Sequence, residues 1–246
     1  MSKKPFDYCY PEAEFGGFSD VDGTIAFYMR LSALINLKMS VVDFGCGRGA
    51  HVEDTVVFRK NLQSLRGRVR SVIGVDVDEA GGLNPTIDEF RRLNPDGGWP
   101  VESASVDLVF SDGVMEHLTD PEQYFSEAAR ILRKGGYLCL RTSNAWGYVA
   151  LAARILPKSF HGRVLKVAQP TRREEDSFPT LYRCNSICKL RRQMSGHGFD
   201  GVAYGYDAEP SYLSFSAVAY RIGVWSHKVL PGCLRSSIFV FCRKRC

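Results

Sequence analysis

Val41-Val42-Asp43-Phe44-Gly45-Cys46-Gly47-Arg48-Gly49 is the stretch that decides the fold. An apolar run that ends on an acid and passes at once into alternating glycines reads as a buried strand turning into a loop with few Cβ atoms. Such a loop lets a ligand approach the backbone closely. Dinucleotide-binding loops share that property, so glycine content alone does not discriminate. Three features do. The glycines follow G-x-G-x-G (Gly45, Gly47, Gly49) rather than G-x-G-x-x-G. Asp43 stands two residues before the first of them. The next strand-end acid, Asp76, lies 33 residues after Asp43, where the dinucleotide pattern places its acid roughly 20 residues from the fingerprint.

Outward from this stretch the rhythm repeats. Ser40 to Phe44 is a short apolar strand, and Val72-Ile73-Gly74-Val75-Asp76 is a second. Val106-Asp107-Leu108-Val109-Phe110-Ser111 is a third, and Tyr137 to Arg141 a fourth. Between them Ala50 to Leu65 reads as a helix. Pro121 to Leu132 reads as another, with Tyr124, Phe125, Ala128, Ile131 and Leu132 at helical spacing, stopped by Lys134-Gly135-Gly136. Strand and helix in alternation predict a parallel sheet covered on both faces. Residues 1–16 read as irregular, and Ser19-Asp20-Val21-Asp22 offers an N-cap to a helical run from Ile25 to Leu37. Leu83 to Pro100 reads as irregular, with Asn84-Pro85, Asn94-Pro95 and Gly97-Gly98 as turn signals.

After Asn144 the rhythm breaks. Residues 145–184 form a basic, proline-containing insertion, followed by a helix at Ser186 to Ser195 and a strand near Gly201 to Tyr206. Residues 207–235 form a second insertion, rich in Tyr, Phe and Trp, before a last strand at Ser237 to Phe241. The whole reads as a single domain over 1–246, with a helical cap (1–39), a ligand-binding core (40–144) and two acceptor-side insertions (145–184, 207–235).

With 246 residues, 45% of them hydrophobic and 24% charged, the chain has the composition of a globular α/β protein. A net charge of +5 is modest, and its basic groups (Arg66 to Arg70, Lys189 to Arg192, Arg243 to Arg245) are short and scattered. No nucleic-acid partner is expected from that pattern; an anionic small molecule, a sugar nucleotide or a membrane surface suits it equally. Eight cysteines include Cys184 and Cys188, four apart, with no C-x-x-C pair to accompany them, so no metal is expected. Ser2 to Asp7 is polar and leads into no apolar core, which reads as an intracellular, cytoplasmic chain with reduced thiols.

The two strand-end acids fit a particular ligand. S-adenosylmethionine has no phosphate to cradle; its methionyl end carries an ammonium beside a sulfonium, which a carboxylate such as Asp43 favours. Its ribose offers two hydroxyls, which an ionised Asp76 can accept. Capping of the following helices is the alternative for either acid taken singly; the pair around G-x-G-x-G favours the ligand.

Here the residues match a family. Val41 to Gly49 and Val72 to Asp78 are joined by Val106-Asp107-Leu108-Val109, Glu116-His117-Leu118, Asp120-Pro121, Glu127, Arg130 to Gly136 and Thr142-Ser143-Asn144. Together they resemble class I S-adenosylmethionine-dependent methyltransferases, most closely the group acting on small molecules such as quinones and sugars. The resemblance covers roughly residues 40–145. It implies a doubly wound, mostly parallel α/β sheet of seven strands with an antiparallel last strand, and insertions after strands 5 and 6. It implies that Asp43, Gly45, Cys46 and Gly47 contact the methionyl end of the cofactor, that Asp76 takes the ribose hydroxyls and that Val77 packs on the adenine. Ser111 and Asp112 would lie near the sulfonium. The family's amide-methylating N-P-P-Y loop is replaced by Ser111-Asp112-Gly113-Val114, which disfavours amide and base acceptors.

Methyl transfer from a sulfonium needs alignment above all, and a hydroxyl acceptor gains from a base. Of the five histidines, His117 follows the loop bordering the methyl group and is the first candidate, with a loop-orienting role as the equal alternative. His161, in the first insertion, is the second. His197 reads as part of a helix C-terminal turn, and His51 as a neighbour of the glycine loop without chemistry. The mixture of Arg163, Arg172, Arg173, Phe178 and Tyr182 suits a sugar-containing or anionic small-molecule acceptor, with a surface loop packed by Phe178, Leu181 and Tyr182 as the alternative. Residues 211–230 allow a lid, a homodimer contact, a peripheral membrane helix or plain core packing. Two other readings stay open: a quinone or lipid methyltransferase, and a non-catalytic cofactor-binding partner subunit.

Overall fold

The computed structural model describes residues 4–94, 96, 98–155 and 178–246, the side chains of 153–155 excepted. Seven strands form one sheet: β1 (Ser40–Phe44), β2 (Ser71–Asp76), β3 (Glu89–Arg92), β4 (Val106–Asp112), β5 (Leu132–Ser143), β6 (Phe199–Tyr206) and β7 (Ser237–Lys244). Their order is β3-β2-β1-β4-β5-β7-β6. β3, β2, β1, β4 and β5 pair in parallel, and β7 runs antiparallel between β5 and β6. This is the doubly wound, mostly parallel architecture with an antiparallel last strand that the resemblance implied. Parallel pairing gathers the strand C-termini at one edge, and the order reverses between β1 and β4, the place where open α/β sheets hold ligands.

Helices cover both faces, as near-continuous apolar strands require. On one side α2 (Gly23–Ser32) sets Phe27 and Leu31 against Val41, Leu108 and Phe239. On the other, α4 (Pro121–Ile131) and α6 (Ile187–Gly196) bring Phe125, Ile131, Leu190 and Met194 onto Val42, Val109 and Leu138. Burial of each such side chain contributes roughly 1.5–3 kcal/mol. The remaining helices are α1 (Pro5–Cys9), α3 (Val57–Gln63), α5 (Tyr148–Ile155) and α7 (Ala217–Val229).

The elements differ from the sequence reading in four places. The N-terminus is not irregular throughout: α1 precedes a 3-10 turn at Pro11–Glu14, each opened by proline at its first position. α2 stops at Ser32 because Asn36 starts a turn, its Oδ1 accepting from the Lys38 amide at 3.0 Å. The single helix expected over Ala50 to Leu65 is split into a 3-10 turn (Ala50–Glu53) and α3. Asp54 breaks it: its Oδ1 takes the Val56 amide at 2.9 Å and its carboxylate clamps Arg59. Within the supposedly irregular Leu83 to Pro100 lies β3, a charged four-residue edge strand with Glu89 paired to Arg91 at 2.8 Å. Edge strands carry charge for good reason, and that charge hides the strand's period.

Candidate functional site

At the end of β1 the chain turns back at Gly45, in the left-handed region (φ +77°), where an added Cβ would overlap Val114 from the loop after β4. Gly47 (φ +48°) is also left-handed, but has nothing within 4 Å of where its Cβ would stand. The loop is thus closed on one side and open above Gly47. Its amides are fixed from β2: the Gly45 N–H donates to the Val75 carbonyl at 2.7 Å, and the Gly47 N–H to Asp76 Oδ2 at 2.8 Å. Buried Asn84 clamps the other side, its Nδ2 donating to the Cys46 carbonyl at 2.9 Å and the Gly47 carbonyl at 3.2 Å. Thr86 donates twice to Asn84 Oδ1, which fixes the amide's orientation. In the sequence Asn84 showed only as half of a turn signal with Pro85, so its hold on the loop was missed.

Three acids meet at this edge, in three different states. Asp112 receives a bidentate pair from Arg141 (2.5 and 2.6 Å), and Arg141 also donates to Thr24 Oγ1 at 2.8 Å. Asp76 accepts the amides of Gly47 and Asp78 (2.8 and 3.0 Å), which leaves lone pairs on both oxygens for further donors. Asp43 has no hydrogen bond or salt bridge to its carboxylate among the described residues. Burial, and then the charges of Asp112 and Asp76, push it up to about 8. A cation placed beside Asp43 reverses that imbalance. Val77, next to Asp76, is 54% exposed and offers an apolar surface beyond it.

The loop after β4 forms the other wall. Ser111 is buried and its hydroxyl pairs with Tyr124 Oη at 3.0 Å, inside the core. Glu116, also buried, ties the wall together: Oε2 accepts from Thr142 Oγ1 (2.7 Å), Oε1 from Ser143 Oγ (2.9 Å), and its carbonyl from the Leu181 and Tyr182 amides. Asn185, wholly buried, donates to Thr142 Oγ1 at 2.6 Å, and its Oδ1 has no hydrogen-bond partner among the described residues. Glu116 entered the sequence reading only as part of a motif; its role as a hub depends on groups that fold against it from residues 142 and beyond.

His117 closes the turn, its Nδ1 2.9 Å from the Pro179 carbonyl and its ring 6.1 Å from that of Phe178. A carbonyl only accepts, so Nδ1 is the donor, and the neutral tautomer that makes this bond has its lone pair on Nε2. His197 contacts the Gln193 carbonyl at 2.9 Å, in the helix C-terminal turn expected for it. His51 sits in the turn after the glycine loop, its Nε2 buried without a partner among the described residues and its pKa lowered by burial. His161 lies outside the described residues.

The sheet order, the antiparallel last strand and the glycine loop at the switch point define the class I methyltransferase fold. Residues 22–204 match the model of a methyltransferase domain family. The chain is similar to a probable S-adenosylmethionine-dependent methyltransferase of Mycolicibacterium smegmatis, 34% identical over 137 residues, covering 53% of this chain and 48% of that one. It is similar to a malonyl-[acyl-carrier protein] O-methyltransferase of Hahella chejuensis, 54% identical over 102 residues, covering 42% and 36%. Among solved structures, the geranyl diphosphate C-methyltransferase of Streptomyces coelicolor shares the fold, with a TM-score of 0.52 at 16% identity over 89% of this chain and 74% of that one. The chain belongs to the methyltransferase domain family. It spans about half or less of the length of these two sequence relatives.

Proposed function

We propose that the protein is an S-adenosylmethionine-dependent methyltransferase that acts on an oxygen of a small-molecule or sugar-containing acceptor. One observation carries the cofactor reading: Asp43 lies without a partner at the foot of a glycine loop that is open above Gly47, while Asp76 keeps free lone pairs one strand away. The donor set matches the group. A lone carboxylate suits a cationic methionyl end held over Gly45, Cys46 and Gly47, the Asp76 oxygens suit two ribose hydroxyls, and exposed Val77 suits an adenine face. When bound, the cofactor supplies an electrophilic methyl on sulfur. Ser111 and Asp112, engaged with Tyr124 and Arg141, serve by holding the strand end in place.

For the acceptor, support comes from His117. Its Nε2 is the basic nitrogen, and it takes the proton of an acceptor hydroxyl as the oxygen attacks. Phe178, 46% exposed beside it, gives a flat apolar face suited to a sugar or another ring. Transfer of labelled methyl from S-adenosylmethionine, tried over sugar, quinone and lipid hydroxyls, tests the reading. His117→Ala should lower turnover about 100-fold, with cofactor affinity kept. Unchanged turnover and pH profile would make His117 an orienting group. Normal cofactor binding without transfer to any acceptor would favour the non-catalytic partner subunit.

A further inference from the structure

α7 has two apolar faces, and the described residues pack on one. Tyr220 and Gly223 are buried, with Val224 and His227 half-buried, at the spacing of a single helix face. That face packs on α1, where Tyr220 meets Tyr10 edge-on at a centroid distance of 6.4 Å, and on Pro210 and Leu213. Another side of the helix carries Val218, Ile222, Trp225 and Val229, again at helical spacing and each 55–66% exposed, and Phe215 continues the stripe at 69%. Single exposed apolar residues need no explanation, but five in one stripe do.

Charge says what covers it. Arg221 and Lys228 are exposed and flank the stripe. α7 itself, Ala217–Val229, carries no Asp or Glu, while Arg221 and Lys228 on it are basic. An apolar stripe with a central tryptophan and basic side chains beside it, on a helix that itself carries no carboxylate, is complementary to the headgroup and upper acyl region of an anionic bilayer; Asp207 and Glu209 act on the opposite, packed face, at His227 and Tyr220. The helix is also fixed to the site's edge of the sheet. Asn144, directly after β5, donates to the carbonyls of Cys233 and Arg235 at 2.8 and 2.7 Å, and Asp207 Oδ1 accepts the Ser236 amide at 2.7 Å.

We propose that α7 seats on an anionic lipid surface, with Ile222 and Trp225 among the acyl chains and Arg221 and Lys228 against the headgroup phosphates. No described helix is long and apolar enough to cross a membrane, so this is a helix lying in the interface. The inference does not rest on the methyl-transfer reading, because membrane binding is read without cofactor.

The test is co-sedimentation of the full chain with vesicles of phosphatidylcholine alone and of phosphatidylcholine mixed with phosphatidylglycerol. The protein should pellet with the mixed vesicles and far less with the neutral ones, and its tryptophan emission should shift to the blue on binding. Ile222→Ser with Trp225→Ser should weaken binding at least tenfold. Arg221→Gln with Lys228→Gln should weaken it roughly fivefold per charge, on anionic vesicles only. Unchanged circular dichroism and thermal midpoints certify that the variants fold. Wild-type protein left in the supernatant, or serine variants that pellet like wild type, would overturn the proposal. So would a concentration-dependent dimer that the serine pair disperses without any vesicle binding, since that assigns the face to a second copy of the chain.

Discussion

Asp43 is where the chemistry of a single residue can be read most directly. Its folded pKa of about 8, against an ordinary 3.8, means that the folded protein keeps this proton where the unfolded chain has lost it. The carboxyl therefore costs stability increasingly as pH rises between those two values, and the full cost is present above pH 8. Asp43→Asn relieves part of that cost: at pH 8–9 it should stabilise the fold by about 2 kcal/mol, or roughly 4–8 °C in Tm for a chain of this length. A cationic ligand needs the ionised form, so wild-type affinity for S-adenosylmethionine should rise about tenfold from pH 7 to 9, with proton release visible in calorimetry across buffers. Equal melting of Asp43→Asn and wild type at pH 9 would contradict this account of the residue. Asp43, Gly45, Gly47 and Asp76 were legible in the sequence because strand ends and glycine spacing are local signals. Asn84 was not, because its partners at Cys46 and Gly47 lie 38 and 37 residues away and meet it only once β1 and β2 pair. Ser111 was placed correctly at a strand end, yet which side of the strand its hydroxyl took was decided by Tyr124 on α4.

At the scale of elements, α2 and α3 are joined by a clasp that also takes in Asp54, in the turn before α3. Buried Asp22 caps α2 through Oδ1, which accepts the Thr24 and Ile25 amides at 2.9 Å each, and pairs through Oδ2 with Arg59 of α3 at 2.7 Å. Arg59 in turn holds Asp54 at 2.5 and 2.8 Å. Asp22→Ala removes a cap and one partner of a charged hydrogen bond, and should cost about 2–3 kcal/mol in urea unfolding. A loss below about 0.5 kcal/mol would show that Arg59 repartners with water. The cap itself was visible in Ser19 to Asp22, and α4 in its helical spacing. The break at Asp54 was not visible, because apolar residues continue through it as they would along an unbroken helix. β3 was hidden for the opposite reason: Glu-Phe-Arg-Arg at a sheet edge carries no apolar alternation.

On the scale of the whole molecule, strand order and glycine loop place every candidate cofactor contact at one edge, and the segments around 178–185 and 207–235 surround it. The core was legible because it is built from local repeats of strand, loop and helix. The surroundings of His117 were not, because Glu116, Thr142, Phe178 and Asn185 gather around it only through tertiary contacts. Binding at this edge should stabilise the whole fold, by about 2.7 kcal/mol at a ligand concentration 100 times Kd. The most direct test of the central claim is a calorimetric titration of wild type and Asp76→Ala with S-adenosylhomocysteine, the demethylated cofactor. Saturable binding by wild type is expected, about 100-fold weaker in Asp76→Ala, as the loss of hydrogen bonds to a carboxylate requires. Absence of binding to it and to S-adenosylmethionine, with tight binding of NAD instead, would contradict the claim.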